Sequence, residues 1–312
     1  PWEDPQRQQV TDGVFDSVVE SASYEGDLYA APFTSNTQLL WYRKDLVPKA
    51  PTTWEQMLTE AERIGPADGG LIQVQANRYE GFTVWINSMI ESAGTQVLSG
   101  PTEVALEEAP TKEAIRVMAE YANSGQAPAN VDTSTEDTAR LGFEGGDSAF
   151  MLNYPFVYPS AKDNAPDVFK ELGAAKYPAV EAGKPSRPPL GGINLAVSKF
   201  SANPDLAFEA ITCLVKPANQ VTAATLGGLP PVTESLYDSK DIAKAYPGFS
   251  DVIRQSIEDA APRPLTPAYT DLSLAMQRAL HPVGDIAPAD VGEAYDTLRD
   301  YVEQAVKREG LL

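Results

Sequence analysis

The clearest candidates for catalytic chemistry are two carboxylates, Glu144 and Asp147, in the segment FEGGDSAF. A pair of carboxylates held on either side of a sugar can hydrolyse a glycosidic bond. These two residues are separated by Gly145-Gly146, and that pattern is also typical of a surface β-turn. Glycoside hydrolysis therefore stays open as an enzymatic interpretation, with an ordinary turn as its alternative.

Other catalytic and metal-binding chemistry has little support. The chain contains one histidine, His281, and one cysteine, Cys213. His281 precedes Pro282 near a predicted helix end, where a capping or surface role is expected. Cys213 lies in the apolar segment AFEAITCLV, which predicts a small buried core residue. We therefore predict no catalytic triad, no metal site and no cofactor, since glycine motifs for phosphates or dinucleotides are also missing from the sequence.

Composition limits the possible partners. The 312 residues include 24 Lys and Arg against 44 Asp and Glu, and the resulting net charge is −20. Such a charge repels polyphosphates, so nucleic acid is not an expected partner. No run of about 18 apolar residues occurs, and the amino terminus lacks the pattern of a signal peptide. Any export signal is expected outside this sequence.

The elements that must position a site alternate between helices and short strands. Thr53 and Gln56 have capping-box spacing before a helix that ends at Gly65, and Asn203-Pro204 predicts another helix start. A third helix is predicted from the apolar repeat between Val291 and Ala305. Apolar runs predict strands at LYAAPF, LLWYR, SAFMLNY and INLAVSK, and residues 181–192 form the strongest linker candidate. This order indicates an α/β protein.

Four stretches then show a family resemblance. The segment YEGDLYAAPFTSNTQLLWYRKDL, followed by APTTWEQM, resembles the signature of extracellular solute-binding proteins of sugar ABC importers. The segments FEGGDSAFMLNYPFVY, LGGINLAVSKFSANPDLAFEAI and GGLPPVTESLYD are similar to later landmarks of that family, in the same order. The resemblance covers residues 20–312 and is greatest to the trehalose-binding type of mycobacteria.

The resemblance implies a two-lobed periplasmic-binding-protein-like fold of type II, with the ligand cleft between lobes joined by hinge strands. Residues 1–34 and 194–230 would form the first lobe, which would lack about a hundred amino-terminal residues of the family. Residues 37–190 and 236–312 would form the second lobe. Crossings are expected near residues 32–37, 190–194 and 229–236. The polar break from Pro32 to Asn36 would then face the ligand, although its residue types alone favour an ordinary turn.

Carried onto this sequence, the resemblance also implies the ligand contacts. A sugar needs flat apolar faces for its C–H surfaces and hydrogen-bonding groups for its hydroxyls, because buried hydroxyls without partners are costly. The guanidinium of Arg263, held between two prolines, would fix hydroxyls, and Phe156 would supply the stacking face with Tyr154 as its alternate. The complete predicted set is Asn36, Tyr79, Glu80, Glu144, Tyr154, Phe156, Gly191, Gly192, Ile193 and Arg263.

The implied function is that of a noncatalytic receptor. It would bind a disaccharide, trehalose or a related α-linked sugar, and deliver it to ABC permease subunits. The family resemblance further implies a lipid anchor upstream of this sequence and a location on the outer face of the plasma membrane. A carboxylate-dependent glycoside hydrolase and a structural or adhesion protein remain the alternatives.

Overall fold

A computed structural model describes residues 1–308 of the chain, which form a mixed α/β fold. No helix in this range is both long and apolar enough to cross a bilayer. The strands are β1 Ser23–Tyr24, β2 Asp27–Leu28, β3 Ala30–Asn36, β4 Leu39–Arg43, β5 Leu71–Gln73, β6 Ser148–Asn153, β7 Leu172–Ala175 and β8 Gly191–Ala196. The helices are α1 Gln6–Thr11, α2 Asp16–Ser21, α3 Trp54–Ile64, α4 Glu80–Ser92, α5 Glu108–Ala122, α6 Glu136–Glu144, α7 Val157–Asn164, α8 Pro166–Lys170, α9 Pro204–Leu214, α10 Pro217–Gly227, α11 Lys240–Ala245, α12 Ser250–Asp259, α13 Tyr269–Leu280 and α14 Val291–Lys307.

The largest sheet has four strands in the order β5-β6-β4-β7. Strand β4 is antiparallel to both neighbours, whereas β5 and β6 are parallel. Successive side chains point to opposite faces of a strand, so Leu40 and Leu152 belong to one hydrophobic cluster, while Trp41 and Met151 belong to another. The sheet is therefore covered on both faces, which explains why its strands β4 and β6 are largely apolar.

Three hydrophobic clusters make up the core. The first contains residues of α3, α4, α5, α13 and α14, with Trp54, Trp85 and Tyr121 packed ring against ring. The second covers the other face of the sheet with residues of α6, α7, α8 and α10–α12. The third is smaller and joins Trp2 and Ala31 to Ile211 on α9.

The predicted helix signals are borne out in α3. The Thr53 side chain accepts a hydrogen bond from the Gln56 amide at 3.2 Å, and Gly65 ends the helix at φ +85°. The Gln56 side chain accepts from the Thr52 amide at 2.9 Å, so the reciprocal half of the capping box is displaced by one residue. His281 follows the end of α13, as predicted.

The prediction that Cys213 is a buried core residue is wrong. Helix α9 buries Ile211, while Cys213 is exposed together with Leu206 and Leu214. The helix is apolar around most of its surface, but the described part of the chain covers only one side of it. An apolar sequence context therefore could not show which face would be packed.

Strands β3 and β8 form a separate antiparallel pair, in which Asn36 lies opposite Gly191. The register of this pair shifts between Pro32 and Thr34. Thr34 also forms an isolated antiparallel β-bridge with Pro231, which lies in the predicted crossing at residues 229–236. The three stretches expected to cross between lobes therefore lie side by side.

Residues of the two predicted lobes also share a hydrophobic cluster. Phe15 and Val18, within the predicted first lobe 1–34, pack in the second cluster with Tyr237 and Ile257, which belong to the predicted second lobe.

Candidate functional site

The β3–β8 pair, which contains two of the predicted crossings and is called the hinge below, places Asn36 beside polar atoms that lack partners. Within residues 1–308, Asn36 Oδ1, Ser35 Oγ and Thr37 Oγ1 are buried and have no hydrogen-bond partner. A buried polar atom left without a partner costs about 1–3 kcal/mol. Tyr154 lies next to this run, because a Cβ built on Gly191 would be 3.8 Å from both Asn36 Cβ and Tyr154 Cε1.

Glu80 is held by three side chains. Its carboxylate lies 3.3 Å from Arg263 Nε, accepts a hydrogen bond from Ser273 Oγ at 2.6 Å, and accepts another from the Tyr269 hydroxyl. Glu80 opens α4, where the helix dipole favours a carboxylate. The side chains of Glu80 and Arg263 are 46% and 29% exposed, so the fixed pair remains open to a ligand.

Two tyrosines lie among these charges. Tyr79 donates a hydrogen bond of 2.6 Å to Glu136, and burial, followed by that carboxylate, raises the pKa of Tyr79 well above its usual range. Burial raises the pKa of Tyr154 to about 12, although the nearby Arg263 cation lowers it, and both Glu136 and Glu80 raise it. Both phenols therefore stay protonated near neutral pH and can donate hydrogen bonds. We refer to Tyr79, Glu80, Glu136, Tyr154, Arg263 and Tyr269 as the polar cluster.

The remaining predicted residues surround this cluster to different degrees. Phe156 precedes α7 and is half-buried against the second hydrophobic cluster. Ile193, on β8, is 45% exposed, and Gly192 beside it has φ +131°. Their roles as ligand contacts, like those of the other predicted residues, stay predictions.

Glu144 has a different environment. Its two carboxylate oxygens accept hydrogen bonds from Arg140 Nη1 at 2.7 Å and from Ser160 Oγ at 2.6 Å, and its side chain is 6% exposed. These contacts tie α6 to α7. Asp147 is exposed beyond a turn in which Gly146 has φ +89°. Glu144 is thus occupied by a local ion pair, and it makes no hydrogen bond or ion pair with the polar cluster among the described residues.

Two adjoining cavities lie between the β1–β2 hairpin and residues 262–265. Their volumes are about 410 and 710 Å³, and Arg263 and Tyr24 line both. Tyr269 and Asn194 line the smaller cavity. A third cavity of about 960 Å³, between α3 and α5, is lined by none of the predicted site residues. Arg263 therefore links the polar cluster to the cavities at the hinge.

Three residues that belong to the polar cluster or bond to it were not predicted: Glu136, Tyr269 and Ser273. Glu136 follows the N-cap Thr135, and a carboxylate in the first turn of a helix is expected from the helix dipole alone. Tyr269 and Ser273 lie one helical turn apart on α13, and their shared partner Glu80 is more than 180 residues away in the sequence. Only the helical spacing of Tyr269 and Ser273 could have suggested a common face.

Comparison with known proteins identifies the family. Residues 4–249 match the family model described as "Bacterial extracellular solute-binding protein". The chain belongs to this family. It is also 29% identical, over 288 residues, to a "Probable ABC transporter-binding protein" of Deinococcus radiodurans, with 86% of this chain and 67% of that protein covered. A "Diacetylchitobiose binding protein DasA" of Streptomyces coelicolor is 23% identical over 71% of this chain and 53% of its own length.

Solved structures confirm the predicted two-lobed fold of this solute-binding protein. The maltose-bound MalE3 of T. maritima superposes with a TM-score of 0.86 at 26% identity, covering 96% of this chain and 78% of that one. The maltotriose-bound protein of Thermus thermophilus has a TM-score of 0.75 at 21% identity, covering 96% and 78% of the two chains. This chain spans about half to two thirds of the curated relatives named here.

A substitution at Gly81 tests whether the position of the Tyr79 side chain matters for ligand binding. A Cβ at Gly81 would lie 2.1 Å from the Tyr79 hydroxyl, so Gly81→Ala should push the Tyr79 side chain away from Glu136. We expect several-fold weaker ligand binding with a modest change in stability, measured by calorimetry and thermal unfolding. Gly125→Ala, whose Cβ would meet nothing within 4 Å, is the control. Equal binding by both variants would show that Tyr79 is dispensable.

The buried carboxyl group of Glu91 should make the stability of the protein depend on pH. Burial raises the pKa of Glu91 from 4.5 to about 7, with Arg187 opposing the shift. A carboxyl group with a raised pKa in the folded state is penalised once it must ionise, so the free energy of unfolding should fall as pH rises from about 4.5 towards 7. Urea titrations across this range should show that Glu91→Gln reduces the fall. An unchanged pH profile in that variant would contradict the assignment.

Proposed function

We propose that this protein is the sugar-binding receptor of an ABC importer and that the polar cluster beside the hinge holds the sugar. The observation that carries the proposal is Glu80, which is fixed by Arg263, Tyr269 and Ser273 and yet remains half-exposed. A fixed carboxylate and guanidinium can accept from and donate to neighbouring hydroxyls without losing side-chain freedom on binding.

The hinge strengthens this interpretation. Asn36 and its neighbours offer polar atoms without protein partners, and Tyr154 offers an aromatic face and a protonated hydroxyl at the same place. Closure of two lobes around a ligand requires that the ligand bind the closed state more tightly. The polar cluster lies within the predicted second lobe, so that difference would come from contacts that the predicted first lobe adds on closure.

Trehalose or a related α-linked disaccharide is our first candidate ligand. The relatives carry names and titles with different sugars, including maltose, maltotriose and diacetylchitobiose, so the family supports a saccharide and leaves its identity to experiment. Titrating the protein with trehalose, maltose, maltotriose and diacetylchitobiose should show saturable binding of at least one of them. Failure of all four to bind would contradict the proposal.

The transport role defines the proposed partners. Delivery to ABC permease subunits is supported by the family and by the relative from Deinococcus radiodurans. A lipid anchor upstream of this sequence, holding the receptor at the outer face of the plasma membrane, is part of the same proposal. Mass spectrometry of the native protein should then detect a lipid on an amino-terminal cysteine.

The hydrolase alternative has less support. The matched family is described as solute-binding, and the curated relatives named above carry the names of binding proteins. Glu144 is engaged by Arg140 and Ser160, so it is poorly placed to exchange protons with a substrate. We therefore propose a noncatalytic receptor.

Phe156 gives a prediction that separates stacking from packing. Because Phe156 is half-buried against the second cluster, Phe156→Leu should cost less than about 1.5 kcal/mol of stability while removing the aromatic face. If this face stacks on the sugar, affinity should fall several-fold. Calorimetry and urea unfolding on the same variant measure both effects. Parental affinity in Phe156→Leu would remove Phe156 from the binding site.

A further inference from the structure

The charges of the polar cluster are not balanced. Arg263 is already engaged by Glu80, with Nε 3.3 Å from its carboxylate. Glu136 receives a side-chain hydrogen bond from the neutral Tyr79 hydroxyl at 2.6 Å, and no cation forms an ion pair with it among residues 1–308. Arg78, the cation next to Tyr79 in the sequence, is exposed and makes no ion pair with either carboxylate in that range. The cluster therefore carries one carboxylate more than it has cations.

This excess charge lies beside Tyr79 and Tyr154, two residues of the proposed sugar site. Tyr154, which lies next to the hinge, interacts electrostatically with all three charged groups, Arg263, Glu136 and Glu80. The burial of Tyr79 and Tyr154 keeps water partly away from this place, which strengthens interactions between charges. The net charge of −20 on the whole chain acts in the same direction at longer range.

We infer that Glu136 makes this site select by charge, admitting neutral and amine-bearing sugars and rejecting sugars that carry phosphate or carboxylate groups. The inference rests on the proposed function. Glu136 would act as a specificity-determining residue, because an anionic substituent near it would meet an unpaired carboxylate. An ammonium substituent would instead supply the cation that Glu136 lacks.

The test compares three probes that differ in charge: trehalose, trehalose 6-phosphate and 6-amino-6-deoxytrehalose. If another neutral sugar binds more tightly, the phosphate and amine derivatives of that sugar replace them. We expect the phosphate ester to bind roughly ten- to a hundredfold more weakly than the neutral sugar, and the amine to bind at least as tightly. Raising the ionic strength should narrow these differences, because salt screens partly exposed charges.

Glu136→Gln is the decisive variant, because a glutamine carbonyl can still accept the Tyr79 hydrogen bond. The readout is the ratio of the dissociation constants of the phosphate ester and the neutral sugar, and we expect Glu136→Gln to lower it roughly tenfold or more. Asp137→Asn is the matched control, since Asp137 is the next residue, is 76% exposed and pairs with Arg140 at 3.3 Å. It should leave the ratio unchanged.

The outcomes distinguish between the charge selection, the role of Glu136 and the receptor function. Tight binding of the phosphate ester to the parent, or an equal ratio in the parent and Glu136→Gln, would overturn the charge selection while leaving the receptor function intact. A loss of selection in Asp137→Asn as large as in Glu136→Gln would assign the effect to overall charge and overturn the role of Glu136. If no neutral sugar binds the parent, the proposed function fails, and the inference fails with it.

Discussion

Arg263→Ala is expected to weaken sugar binding ten- to a hundredfold while leaving the protein folded. Arg263 contributes a charged donor at the meeting point of the polar cluster and the hinge cavities. Losing a charge-assisted hydrogen bond costs on the order of 1.5–3 kcal/mol, which corresponds to this change in affinity. Glu80 stays hydrated and keeps its bonds from Tyr269 and Ser273, so little stability should be lost. Calorimetric titration and thermal unfolding measure the two quantities.

The control for this variant is Arg299→Ala. Arg299 lies on α14, is 53% exposed and pairs with Glu303 at 3.2 Å. Arg299→Ala therefore removes the same charge as Arg263→Ala, but at a distance from the hinge. Its affinity should equal that of the parent. Equal affinities of Arg263→Ala and the parent would place Arg263 outside the binding site and would count against the polar cluster as the place where the sugar is held.

Gly192→Ala should be among the most destabilising single substitutions of the hinge. A Cβ at this position would lie 2.1 Å from Thr34 O and 2.9 Å from Ser35 Cα, and φ is +131°. The collision is with backbone of the paired strand, which cannot move without disrupting β3 and β8. Overpacking and backbone strain each cost about 1–3 kcal/mol, so we expect a loss of about 2–6 kcal/mol in the free energy of unfolding.

Gly183→Ala separates the effect of a steric clash with neighbouring backbone from the effect of backbone strain at a positive φ. Gly183 also has a positive φ, +84°, but a Cβ there would meet nothing within 4 Å. Urea unfolding of both variants should therefore show a clearly larger loss for Gly192→Ala. If the two losses were equal, the close approach of β3 and β8 would not be the reason for glycine at this hinge position.

The sequence predicted the framework well because its signals are local. The cap at Thr53 and the stop at Gly65 define α3 within a few residues, and the apolar runs that form β4 and β6 are buried on both faces. The end of the hinge crossing, from Thr34 to Asn36, was different, since its residue types favour a turn and only the family resemblance indicated that the strand continues there. Local patterns thus identified elements better than they identified connections between them.

The site was harder to predict because its contacts are long-range. Tyr79 and Glu80 were predicted as a pair, yet their side chains go to different partners, Glu136 and the Arg263–Tyr269 segment. Nothing near Glu136 in the sequence distinguishes it from an ordinary carboxylate in the first turn of a helix. The prediction that Cys213 is buried was wrong for a related reason, because an apolar segment does not reveal which of its faces is packed.

The receptor function is tested most directly by isothermal titration of the purified protein with trehalose, maltose, maltotriose and diacetylchitobiose, combined with an assay for released monosaccharide. A noncatalytic sugar receptor should show saturable one-to-one binding of at least one of these sugars, with the sugar recovered intact. Absence of binding by all four, or release of monosaccharide that is lost in Glu144→Gln, would contradict the receptor function.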